Sequence, residues 1–156
     1  MSMRTTADLP AHATEQDLRD PWLRLRQLFD KDNCELLNAT DDSEVRTAVG
    51  RINGSRVTAY CTDGTRMGGA LGALGSRHII AAIEFAIRER CPVVGVWHSG
   101  GARLADGVES MNAVGRIFAA MTSASGRIPQ ISLVVGPAAG AAAYGPALTD
   151  IQIFNS

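Results

Sequence analysis

Apolar residues recur along this chain with two periods, and the switching between them predicts its elements. Trp22, Leu25, Leu28 and Phe29 fall on one helical face, with Arg24 and Gln27 elsewhere. That spacing predicts a short amphipathic helix ending near Phe29. Asp20 suits its N-cap and Pro21 its first helical position. The charged turn Asp30–Asn33 closes it, and Glu35–Leu37 is too short to assign. Two β-prone runs, Val45–Ile52 and Arg56–Cys61, flank Asn53-Gly54 and predict a hairpin.

Helical spacing returns at Ile79, Ile80, Ile83, Ala86 and Ile87, with Arg77, Glu84, Arg88 and Glu89 on the wet face. Ser76 is the expected cap, and the helix should reach about Arg90. The short run Val93–Trp97 predicts a buried strand. Met111, Val114, Ile117, Phe118 and Met121 predict a helix over roughly 107–125, closed by Gly126 as a left-handed C-cap. Gln130–Val135 predicts another strand, and the Ala-rich stretch after Gly140 can begin a helix. Both strands are expected to be buried on both faces. The succession of hairpin, helix, strand, helix, strand, helix and strand is that of an α/β layer fold with sites at strand ends.

Composition narrows the function classes. The net charge of −1 gives no electrostatic case for nucleic acid. Residues 51–156 are mildly basic and the acidic bias lies before them. Cys34, Cys61 and Cys91 have no metal-binding spacing and read as free thiols in a reducing compartment, so no metal is expected. Residues 1–19 form a polar leader with no apolar core, and no run approaches a membrane span of about 20 residues. The expected location is the cytoplasm.

Candidate chemistry gathers in three small-residue segments. Gly136–Ala143 follows a strand, and bare N–H groups there can stabilise an oxyanion; close helix packing would also need small residues. Ser99-Gly100-Gly101-Ala102 leaves backbone accessible beside Arg103. Arg103 either holds a carboxylate or phosphate or pins the loop through Asp106 or Glu109. Met67–Gly75 has no nucleotide-loop motif and reads as a Gly-rich strand and loop that another molecule approaches. His98-Ser99 lacks a nucleophile elbow, so a serine hydrolase is disfavoured. His78 reads as a partly exposed helix residue rather than a base.

Ser99–Leu104, Ser125–Ile131, Gly136–Gly140 and Tyr144–Asp150, together with Thr62-Asp63-Gly64 and Met67–Gly72, resemble the β subunit of actinobacterial acyl-CoA carboxylases over about residues 20–150. The resemblance implies an α/β, crotonase-like (ClpP/crotonase) superhelix of ββα units, here incomplete. It implies transfer of a carboxyl group from carboxybiotin to the α-carbon of acetyl-CoA or propionyl-CoA. It further implies biotin carried by a partner α subunit, and a homo-oligomer of β subunits, a hexamer in the family. Gly140 and Ala141 would then be backbone oxyanion donors, toward either the thioester oxygen or biotin's. Gly68, Gly69, Ala70, Ser99, Gly100, Gly101, Ala102 and Arg103 would bind acyl-CoA.

Two departures stand out. The family usually has Gly-Gly where this chain has Gly140-Ala141, and the alanine methyl is expected to narrow the pocket or change φ. Ile151–Ser156 also ends where the family continues, and Gln152 interrupts an apolar run. Residues 20–156 are thus expected to be an N-terminal part of a carboxyltransferase domain, inactive and aggregation-prone alone. The alternatives are a non-catalytic CoA-binding or scaffold paralogue and another crotonase-like enzyme such as an acyl-CoA decarboxylase.

Overall fold

The computed structural model describes residues 17–31, 33–38 and 41–155. The leader reading therefore falls almost wholly outside the described residues. Helix α1 spans Pro21–Leu28, and the Asp20 carboxylate accepts the Leu23 N–H at 2.8 Å, as its N-cap position predicts. A short edge strand, β1 (Cys34–Leu36), occupies the segment too short to assign from sequence. The hairpin forms from β2 (Val45–Ile52) and β3 (Ser55–Thr62), with φ of 49° at Asn53 and 79° at Gly54.

Helix α2 (Ala73–Glu89) leads to β4 (Val93–Ser99), α3 (Gly107–Ala124), β5 (Gln130–Ala138), α4 (Ala141–Ala147) and β6 (Ile151–Phe154). The six strands lie side by side in chain order. Pairing is antiparallel through β1, β2 and β3 and parallel from β3 to β6. Parallel neighbours need crossovers, which α2, α3 and α4 supply.

Two hydrophobic clusters sandwich the sheet. On one face Val45, Tyr60, Val93, Trp97 and Val134 pack with α2, α3 and α4 residues such as Ile79, Ile83, Ile117 and Met121. On the other, Leu25 of α1 and Phe29 just after it join Ala48, Val57, Ala59, Cys61, Val94 and Val96 in a second cluster. Strand β4 is buried on both faces, as expected. Strand β5 is not: Ile131, Leu133 and Val135 are only half-buried. Strand β6 is exposed throughout.

Two segments differ from expectation and one helix end agrees with it. Helix α2 begins at Ala73 rather than at Ser76, whose hydroxyl instead donates back to the Gly72 carbonyl at 2.8 Å. Met67–Gly69 is a 3-10 turn rather than a strand. Gly126, with φ of 74°, follows α3 as the left-handed residue expected there.

Gly95 shows how tightly the helical face is filled. It pairs across from Tyr60 in the parallel register, and the Tyr60 ring lies over the bare glycine. An added Cβ would stand 2.5 Å from the Tyr60 Cζ and hydroxyl. The same ring meets Trp97 edge-on, with centroids 5.4 Å apart. Gly95→Ala should therefore displace Tyr60 and cost about 1–3 kcal/mol. A denaturant titration measures it; an unchanged midpoint would show that the ring has room to move.

Candidate functional site

The sequence-predicted residues converge because the parallel strands β3, β4 and β5 all end at one edge of the sheet. Regular pairing of β3 with β4 stops at Cys61 and Val96. Beyond it the Thr62 hydroxyl takes over: it accepts the His98 N–H at 2.8 Å and donates to the His98 carbonyl at 3.0 Å. The three loops are then stitched main chain to main chain. Gly100 N–H donates to the Gly68 carbonyl at 2.9 Å, and Leu71 N–H to the Gly101 carbonyl at 2.8 Å. Arg103 N–H returns to the Leu71 carbonyl at 2.7 Å, and Ala139 N–H donates to the Ser99 carbonyl at 3.0 Å.

Glycines make these approaches sterically possible. A Cβ on Gly69 would collide with the His98 carbonyl. One on Gly101 would meet the Ala139 carbonyl oxygen at 3.3 Å, and its φ of 106° is a conformation few other residues adopt. What packs against Gly69, Gly72 and Gly75 is the chain itself. Gly68 alone of the Met67–Gly75 glycines, with φ of 61°, has no neighbour within 4 Å of an added Cβ.

The Ala102, Gly140 and Ala141 N–H groups find no protein acceptor among the described residues. They lie together: the Cβ position of Gly140 is 4.0 Å from the Ala102 nitrogen. Gly140 has φ 53° and ψ −120°, so glycine is required there. Ala141 has ordinary backbone geometry and buries its methyl in the core. The expected change of φ at Ala141 is not found. Helix α4 has only 7 residues, so these donors act as individual N–H groups rather than through a long helix dipole.

A hollow of about 200 Å³ opens beside the donors, walled by Met111, Val114, Phe118 and Tyr144. Of the predicted site residues, Ala102, Gly140 and Ala141 line it. Gly68, Gly69, Ala70, Ser99, Gly100 and Gly101 do not; Ser99 is fully buried and its hydroxyl accepts the Gly101 N–H at 3.1 Å. A larger hollow of about 390 Å³ against β1 and β2 shares no residue with these loops.

Arg103 is turned inward. Its guanidinium lies 3.7 Å from Glu44 and 4.0 Å from Asp106. Loop-pinning is thus the reading the geometry supports, through Asp106, one of the two expected partners, and through Glu44. Glu44 went unnoticed in the sequence because its partners lie far along the chain. Among the described residues no cluster of His, Cys, Asp and Glu could hold a metal, and no helix is long and apolar enough to cross a membrane. Cys61 and Cys91 are buried thiols, and burial pushes Cys61 up to about 12.

His98 does not pair with Ser99. Its ring packs against Gly64 and Gly136, where any Cβ would strike it. Its Nδ1 is 3.2 Å from the Arg24 guanidinium. Arginine can only donate, so this contact requires an unprotonated Nδ1. His78 pairs with Asp41 and is partly exposed, as expected of it.

The loops match a known family. The model of the carboxyl transferase domain covers residues 19–155. The chain belongs to that family. It is 58% identical over 137 residues to a biotin-dependent acetyl-/propionyl-coenzyme A carboxylase beta6 subunit of Mycobacterium tuberculosis, covering 88% of this chain and 29% of that protein. It is 54% identical over 151 residues to a propionyl-CoA carboxylase beta chain of Rhodococcus erythropolis, covering 97% of this chain and 32% of that one. The chain thus spans about a third of the length of the curated relatives it matches. Among solved structures it superposes on transcarboxylase 12S, a hexamer seen with methylmalonyl-coenzyme A bound, with TM-score 0.83 and 33% identity over 86% of this chain and 29% of that one. The fold is the crotonase-like α/β fold that the resemblance implied.

The His98 environment sets a pH test. Burial comes first in holding its pKa below the usual histidine value; Arg24 and then Arg19 lower it further, and Asp17 opposes them. The unfolded chain then binds the proton more readily, so this contribution is complete above about pH 6.5 and is lost as pH falls through the folded pKa. Stability should decline on acidification through that window, and His98→Asn should flatten the decline. An NMR titration placing His98 at or above the ordinary value would overturn this.

Proposed function

We propose that this chain forms the acyl-CoA side of the carboxyl transfer site in a biotin-dependent acyl-CoA carboxylase. The observation that carries the reading is the meeting of three unpartnered N–H groups, those of Ala102, Gly140 and Ala141, beside an apolar hollow. Losing an α-proton turns a thioester into an enolate whose oxygen carries the charge. Neutral N–H donors held in advance lower that barrier without reorganising. The walls of Met111, Val114, Phe118 and Tyr144 suit a short acyl chain, which accords with the acetyl-CoA or propionyl-CoA in the relatives' names.

Biotin enters as a group carried by a partner protein, and when bound it supplies the carboxyl group. The donors fit its ureido oxygen as well as a thioester oxygen, since both are carbonyls that gain negative charge. The chain holds one oxygen in place and shields the acyl chain from water with an apolar wall. Further residues of the site belong to the remaining length seen in the relatives. Assembly into an oligomer with a biotin-carrying subunit accords with the exposed Leu104 and Val108 near the start of α3 and Ile151, Ile153 and Phe154 on β6, apolar side chains suited to burial. A cytoplasmic location suits an enzyme of CoA thioesters.

Two measurements on the full-length enzyme with its biotin-carrying subunit test the proposal. Gly140→Val should crowd the turn and lower turnover by about 10²–10³; parental turnover by the folded variant would remove this turn from the site. Acetyl-CoA or propionyl-CoA at a hundredfold excess over Kd should stabilise the protein by about 2.7 kcal/mol. A thermal shift with a dinucleotide but none with either thioester would favour a nucleotide site instead.

A further inference from the structure

We propose that Glu44 is a positioning residue for the Ala102 donor and acts through Arg103. The effect on turnover rests on the carboxyl-transfer reading; the effect on the loop does not. Glu44 precedes β2, and only 4% of its side chain is exposed. One carboxylate oxygen accepts the Gly72 N–H at 2.5 Å and the Gly75 N–H at 3.2 Å. The other is 3.7 Å from the Arg103 guanidinium. The Glu44 main-chain carbonyl accepts the Asp63 N–H at 2.8 Å, which anchors the residue to the end of β3. A single carboxylate thus ties the start of α2 to the loop that carries Ala102.

The surroundings are built for it. A Cβ on Gly75 would stand 2.5 Å from the Glu44 carboxylate oxygen. One on Gly72 would stand 2.8 Å from Asp106 and 3.2 Å from Glu44. The two glycines leave the space in which Glu44, Arg103 and Asp106 meet. A helix cap alone needs no buried charge, because a serine or aspartate at position 72 supplies the acceptor locally. Nor does it need Arg103, which is drawn inward although its Nε is buried without a partner. Burying a carboxylate is costly unless it is fully compensated. Here the compensation fixes Arg103, whose N–H closes the bridge to Leu71 and so sets the direction of the neighbouring Ala102 N–H.

Glu44→Gln separates the two roles. The amide oxygen still accepts the Gly72 and Gly75 N–H groups, but the pair with Arg103 is gone. The first readout is amide hydrogen exchange in the full-length protein without substrate. The Leu71 and Arg103 amides should exchange about tenfold faster or more, while Gly72 and Gly75 stay protected. Unchanged exchange at Leu71 and Arg103, or equal loss at all four, would reduce Glu44 to a cap and overturn the proposal. Should Glu44→Gln fail to fold, Arg103→Gln breaks the pair from the other end, leaves the cap intact and must give the same pattern. The second readout is turnover by the assembled enzyme. Glu44→Gln should lower kcat about tenfold with little change in KM for acyl-CoA, the mark of an interaction made in the transition state. In a cycle with Arg103→Gln the two losses should not add, and simple addition would count against action through Arg103. If the wild-type assembly transfers no carboxyl group, the functional reading fails while the exchange result still decides the role of Glu44.

Discussion

Contact between main chains at the ends of β3, β4 and β5 is the constraint on which the rest of this structure depends. Parallel strands that finish together leave their loops crowded at one edge. Those loops can close only where side chains are absent, as Gly69 does against the His98 carbonyl and Gly101 against Ala139. Once closed, they use most of their own hydrogen bonds on one another. The donors left over, at Ala102, Gly140 and Ala141, are a remainder of that stitching rather than a separate device. A loop edge made this way is held firmly because its members bond to one another.

The same constraint explains the electrostatics. Among the described residues no charged side chain lines the hollow beside the donors. Arg103 stands next to Ala102 in sequence, yet it faces Glu44 and Asp106. A formal positive charge at the donors would hold a carboxylate or phosphate in the ground state. Neutral N–H groups respond instead to charge as it appears.

Local features of this fold could be read from the sequence, and distant pairings could not. Asn53-Gly54 announced the hairpin because its turn is decided within two residues. Asp20-Pro21 announced α1 for the same reason, since cap and first turn are adjacent. The start of α2 was misplaced at Ser76 because its cap is Glu44, a residue 28 positions from Gly72. Gly72 and Gly75 looked like an opening for a ligand because sequence shows that space is left free but not what fills it. Strand β5 appeared buried on both faces because its apolar run is continuous, while α1 packs mainly on β2 and β3. The small residues at the strand ends could be read as a candidate site through resemblance and the chemistry of bare N–H groups, and the loops that carry them do pack together. The roles of Thr62 and Arg24 beside His98 were not, because nothing in their local sequence marks them.

Gly140 sits at φ 53° and ψ −120° between two alanines, Ala139 and Ala141, and faces a third, Ala102. If the proposed donors form the site, it is nearly silent to alanine scanning. Two of its three donors already carry the residue that a scan introduces, and the N–H groups survive almost any side-chain exchange. Main-chain chemistry, such as replacing an amide by an ester at Ala102 or Ala141, is the perturbation that reaches the donors directly.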